Sequence, residues 1–193
     1  GVLLVFSVVI VGSTLVVGPS NVGKTRLTAR TLDSWVAEHG PAGAVVLDFA
    51  PTVERDGEIL GGPLTQFTTV SEGVYHGVVD ANAPRAAAET DAEALELAET
   101  NADAAFDRLD AAPAEPRAVF VNDATIALQA DPGVTERLTD YCDRANCVVL
   151  NAFDSDELGT DSPVSRNERE SLDALRAWAD RAVELSYTGR QNE

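Results

Sequence analysis

Residues 18–25 read GPSNVGKT. Gly18, four free positions, then Gly23, Lys24 and Thr25 have the spacing of a loop that wraps backbone amides around a phosphate. Each fixed residue type has a chemical reason. Glycine lets the amides curl around an oxyanion with no Cβ in the way. Lys24 offers a mobile positive charge to terminal phosphates. Thr25 offers a hydroxyl to Mg2+. A helix opening directly behind the loop presents an N terminus that already favours anions. The stretch therefore marks Gly18, Pro19, Ser20, Asn21, Val22, Gly23, Lys24, Thr25 and Arg26 as candidate nucleotide-binding residues. Lys24 is also a catalytic candidate and Thr25 a metal ligand.

Both flanks fit such a loop. TLVVG (14–18) is apolar and β-branched and reads as a strand. TRLTARTLDSWVAEH (25–39) sets Leu27, Leu32, Trp35 and Val36 near helical spacing, and Gly40-Pro41 stops the run. Lys24 is the only lysine among the 14 basic residues. A chain that otherwise uses arginine places its one lysine where a phosphate loop needs it.

The 193 residues suffice for one α/β domain with a substantial core, and a 45% hydrophobic content excludes a disordered chain. The net charge of −18 disfavours nucleic acid or an anionic membrane as main partner. Abundant Asp and Glu, one Lys and much Ala also resemble the proteins of salt-in halophilic archaea. At molar salt, charges are screened within about 3 Å. Acidity is then a solubility device, and the case against nucleic acid weakens without vanishing. Cys142 and Cys147 make no metal-ligand set and read as free thiols of a cytoplasmic protein. Residues 1–23 carry no side-chain charge, yet the run before the loop strand is too short to span a bilayer and lacks a basic flank. Strand is the better reading, turned or kinked at Gly12-Ser13, with no membrane attachment.

AVVLDFAP (44–51), AVFVND (118–123), CVVLNAF (147–153) and AVELSY (182–187) read as further strands. Residues 86–112 and 134–145 read as helices. Ser165 and Glu168 have capping-box spacing and predict a last helix beginning there. Residues 51–85 are rich in Gly and Pro, and TQFTTV and VYHGVV predict an inserted β-hairpin within them. Residues 188–193 form a frayed tail. Strands alternating with helices predict a single domain, residues 1–193, with a mostly parallel sheet between helical layers.

The glycine-rich loop, the apolar strand ending in Asp and the α/β alternation together resemble the P-loop NTPase superfamily. The resemblance implies a three-layer αβα fold, bound ATP or GTP, and Mg2+ held through an aspartate at the end of a buried strand. Asp123 after VFVN and Asp48 after VVL both match that position. NAFD (151–154) resembles the guanine-reading N-K-x-D of GTPases, with Ala152 in place of lysine; it marks Asn151 and Asp154 as base-contact candidates. The reading leans to ATP.

Lys24 and Asp123 are thus the catalytic candidates. Thr25, Asp123 and Asp48 are the metal candidates. The expected function is a Mg2+-dependent nucleotide-binding ATPase. A small-molecule or polynucleotide kinase using residues 51–85 as its acceptor site, and a non-hydrolysing nucleotide switch or accessory subunit, remain as alternatives. A protein partner or a second copy stays open. No residue is marked to orient the attacking water.

Overall fold

The computed structural model describes residues 10–60 and 62–187. β1 (Gly12–Gly18) runs into the glycine-rich loop, and α1 (Lys24–His39) follows it. β2 (Ala44–Asp48) comes next, then a small antiparallel pair, β3 (Val53–Arg55) and β4 (Glu58–Leu60). β5 (Tyr75–Val78), the short α2 (Pro84–Ala87) and the long α3 (Asp91–Ala111) precede β6 (Ala118–Asn122). The chain closes with α4 (Thr135–Cys142), β7 (Cys147–Phe153), α5 (Pro163–Trp178) and β8 (Arg181–Glu184).

Six strands form one sheet in the order β5-β2-β6-β7-β1-β8. Every neighbouring pair in it is parallel. The central strands are mostly apolar because a parallel sheet is covered on both faces. Alternation assigns their side chains. Leu15, Val17, Val45, Leu47, Val119, Val121, Val148 and Leu150 face the layer of α3, α4 and α5. Val16, Val46, Phe120 and Val149 face α1, through Ala29 and Leu32. The carboxyl ends of β1, β2, β6 and β7 therefore open on one side of the molecule, where ligands of such sheets gather.

Several sequence expectations are corrected. TQFTTV and VYHGVV do not pair. The hairpin of this region is β3–β4, ahead of them, and residues 64–66 form a 3-10 turn. VYHGVV supplies β5, an edge strand parallel to β2 with Val45 opposite Tyr75. Ser165 does not cap α5. Ser162 does, accepting from the Ser165 amide at 3.1 Å, with Pro163 in the first turn. Glu168 is thereby freed to point inward. The helical run 86–112 divides at Thr90, which caps α3 by accepting from the Glu93 amide at 3.1 Å. Cys142 and Cys147 are buried free thiols. Most of the possible first hairpin before Gly12 and the tail 188–193 lie outside the described residues. Among the described residues no helix is long and apolar enough to cross a membrane.

Candidate functional site

The loop between β1 and α1 forms one wall of a cleft of about 550 Å3. Gly18 ends β1 where no side chain fits: a Cβ there would lie 2.5 Å from the Leu185 carbonyl oxygen. Gly23 has φ 107°, a conformation glycine adopts without strain, and open space around it. No side chain caps α1, whereas α3 and α5 are both capped. The first amides of α1 thus remain available at the cleft. The Lys24 ammonium turns back to donate to the Pro19 carbonyl oxygen. Burial lowers its pKa from the usual lysine value, opposed by the charges of Asp123 and Glu157.

Three buried side chains beneath Thr25 fix its orientation. Thr25 Oγ1 donates to Asn122 Oδ1 at 3.2 Å. Asn122, at the end of β6, donates through Nδ2 to Asp48 Oδ1 at 2.9 Å and to the Gly62 carbonyl at 3.1 Å. Asn151, on β7 between β6 and β1, donates to Asn122 Oδ1 at 2.9 Å and to Thr28 Oγ1 at 2.8 Å. It accepts from the Asp123 amide at 2.7 Å. Both donors and both acceptor positions of Asn122 are used, so its rotamer is determined.

Asp48 also accepts from the Leu64 amide at 2.7 Å and the Ala50 amide at 3.2 Å. It is 1% exposed, and burial raises its pKa against the pull of these donors. Both oxygens of Asp48 are engaged, and it meets Thr25 through Asn122. It positions the segment 62–64 and does not face the cleft.

Asp123 does face it. The residue is held at φ 60°, ψ 54°, a left-handed conformation uncommon for non-glycine residues, though aspartate adopts it more readily than most. Among the described residues no hydrogen bond from the protein reaches its carboxylate. Burial raises its pKa to about 7, and the charge of Glu168 adds to the rise while Lys24 and Arg85 oppose it. Glu168 anchors the group behind it. Its carboxylate pairs with Arg85 at 2.7 Å and accepts from Thr125 Oγ1 at 3.0 Å and Gln129 Nε2 at 2.7 Å.

Thr25 and Asp123 both line the cleft and are the side chains that could hold a divalent cation. The hydroxyl keeps lone pairs free while donating to Asn122, and the carboxylate has no competing protein donor. The described residues hold no cluster of three or more His, Cys, Asp or Glu side chains able to bind a metal on their own. A cation here would complete its shell with water or with the oxygens of a bound anion.

The structure thus brings Lys24, Thr25, Asp123 and Asn151 to one cleft. It sets Asp154 apart, in an ion pair with Arg176 at 2.6 Å, and gives Asn151 a structural partnership at the sheet centre. Residue-by-residue reading missed Asn122, whose importance depends on the register of three strands. It also missed Glu157, which accepts from the Ser20 amide at 2.9 Å. Neither a protein-family description nor a curated protein matches the chain.

Proposed function

We propose that the protein binds a nucleoside triphosphate with magnesium at the β1–α1 loop and hydrolyses it, with ATP favoured over GTP, on a three-layer P-loop NTPase fold. The observation that carries this reading is the convergence of Lys24, Thr25 and Asp123 on one cleft walled by uncapped helix amides. In this reading the loop amides and the α1 terminus bind the phosphate chain. Lys24 swings from the Pro19 carbonyl to the terminal phosphates. Mg2+, held by the Thr25 hydroxyl and near Asp123, would supply charge neutralisation between the phosphates. Asn122 holds the threonine rotamer.

Asp123 has a second task. A carboxylate that faces the cleft with no protein donor can hold a water molecule and accept its proton as the water attacks. It fills the vacancy left by the sequence, which names no water-orienting residue. Phosphoryl transfer of this kind depends on positioning and charge rather than covalent chemistry.

The test is calorimetry with ATP and GTP at molar KCl and Mg2+, on the wild type and Lys24→Ala, with phosphate release followed in the same samples. Tight binding by the wild type alone supports the nucleotide site, and phosphate release supports hydrolysis. Binding without release favours a switch, and release only with an added acceptor favours a kinase. Absence of binding by the wild type overturns the proposal.

A further inference from the structure

The cleft has a second wall that the phosphate chemistry does not use. It is built by the segment after β4, through Gly62, Gln66 and Phe67, facing Arg26 of α1. Phe67 is 41% exposed. Among the exposed large hydrophobic side chains of the described residues, it alone lines the cleft. The Arg26 guanidinium lies over its ring, 5.0 Å from the centroid. A guanidinium is flat, delocalised and weakly hydrated, and it occupies a ring face in the way another π-system would.

The ring is also held in place. Leu64, fully buried against the α1 face of the core, anchors the 3-10 turn. Its amide donates to Asp48, and its carbonyl accepts from the amides of Phe67 at 2.9 Å and Thr68 at 3.2 Å. Thr68 Oγ1 donates to Asp33 of α1 at 2.5 Å. Asp48 and Asn122, which orient Thr25, therefore also fix the turn that carries Phe67. An exposed aromatic ring costs solvation, and a pre-organised one facing a polar cleft suits a planar ligand.

Resting on the nucleotide reading, we infer that Phe67 is the stacking platform for the base of the bound nucleotide. Arg26 now covers the ring and is displaced by the base. It is next to Thr25 in the first turn of α1, so the released guanidinium can reach the phosphate chain. The Gln66 side chain, packed over Gly62, offers a donor and an acceptor to the edge of the base.

Inorganic tripolyphosphate carries the phosphates without a base and separates the two readings. Calorimetry at molar KCl with Mg2+ compares tripolyphosphate, ATP and GTP on the wild type, Phe67→Ala and Phe67→Tyr. The expected result is a tighter nucleotide than tripolyphosphate on the wild type. Phe67→Ala should weaken the nucleotide on the order of tenfold, as loss of one base–aromatic stack does, while tripolyphosphate is unchanged. Phe67→Tyr keeps the ring and should keep the affinity. Equal wild-type affinity for nucleotide and tripolyphosphate overturns the inference and leaves the phosphate site standing. So does a Phe67→Ala variant that binds nucleotide like the wild type or loses both ligands equally. A wild type that binds none of the three overturns the nucleotide reading and this inference with it.

Discussion

The Thr25 hydroxyl donates to Asn122, the residue before Asp123, and that asparagine is in turn bonded to the buried carboxylate of Asp48. An amide is required there. Its nitrogen satisfies Asp48 and the Gly62 carbonyl while its oxygen serves Thr25 and Asn151. An aspartate would lose both donations and set a second negative charge against the first.

Asn122→Ala should therefore cost about 2–4 kcal/mol of stability, since several buried polar groups lose a partner. Asn122→Asp should be unstable in a pH-dependent way. Each of the paired carboxylates would titrate above its unfolded value. Stability would be greatest below the ordinary Asp range and lost as pH rises. Urea unfolding at pH 5 and pH 8 checks this: the deficit of Asn122→Asp relative to wild type should be larger at pH 8.

Asp123 poses the reverse case, a charge kept at a cost. Its pKa rises from 3.8 to about 7, so its neutral form is favoured on folding. The contribution is present below the unfolded value and disappears as pH climbs through about 7. Asp123→Asn removes the cost and retains a residue type that tolerates left-handed backbone. Expected at pH 8 is a gain of about 1–2 kcal/mol, less than the full shift because solvent at the cleft screens part of it. Phosphate release should fall about 100-fold or more while nucleotide binding persists. Thermal unfolding and single-turnover kinetics together test the trade, and a variant that is neither stabilised nor inactive refutes it.

Glu168 and Arg85 pull that titration in opposite directions. With Asp123 as the base, wild-type turnover should rise with pH as its carboxyl loses its proton. Glu168→Gln removes a neighbouring negative charge, so the rising limb should move to lower pH. Arg85→Gln removes a positive one and should move it upward. The latter also strands a buried carboxylate and should destabilise the fold by about 3–5 kcal/mol. A purely structural pair would change stability and leave the limb in place.

Much of this framework was legible in the chain. The runs that became β1, β2, β6 and β7 each carry a stretch of consecutive apolar residues because both faces of a parallel sheet are buried, and GPSNVGKT could be located by spacing alone. Legibility failed where the answer was non-local. VYHGVV alternates and would suit either a hairpin or an edge strand; only its pairing with β2 decides. Ser162 and Ser165 both resemble caps, and the proline at 163, suited to a first helical turn, was the missed local signal. Asn122 and Asn151 are 29 residues apart and meet only because β6 and β7 are in register. Phe67 looked like one beat of a strand until the turn 64–66 placed it on the cleft wall.

Glu157 yields a last expectation. Its carboxylate accepts from the Ser20 amide at 2.9 Å, and its charge lies close enough to Lys24 to raise that pKa. An incoming phosphate needs the same donor and the same cation, so it must displace this acidic side chain. The contact is solvent-exposed, where an ion-pair or charge-assisted bond contributes about 0.2–1 kcal/mol. Glu157→Gln should accordingly tighten ATP binding about two- to fivefold. The gain should shrink from 0.1 M to molar KCl, because salt screens an exposed carboxylate more than a half-buried lysine. A Glu157→Gln affinity equal to wild type at both salt concentrations would show that the carboxylate leaves the loop without cost.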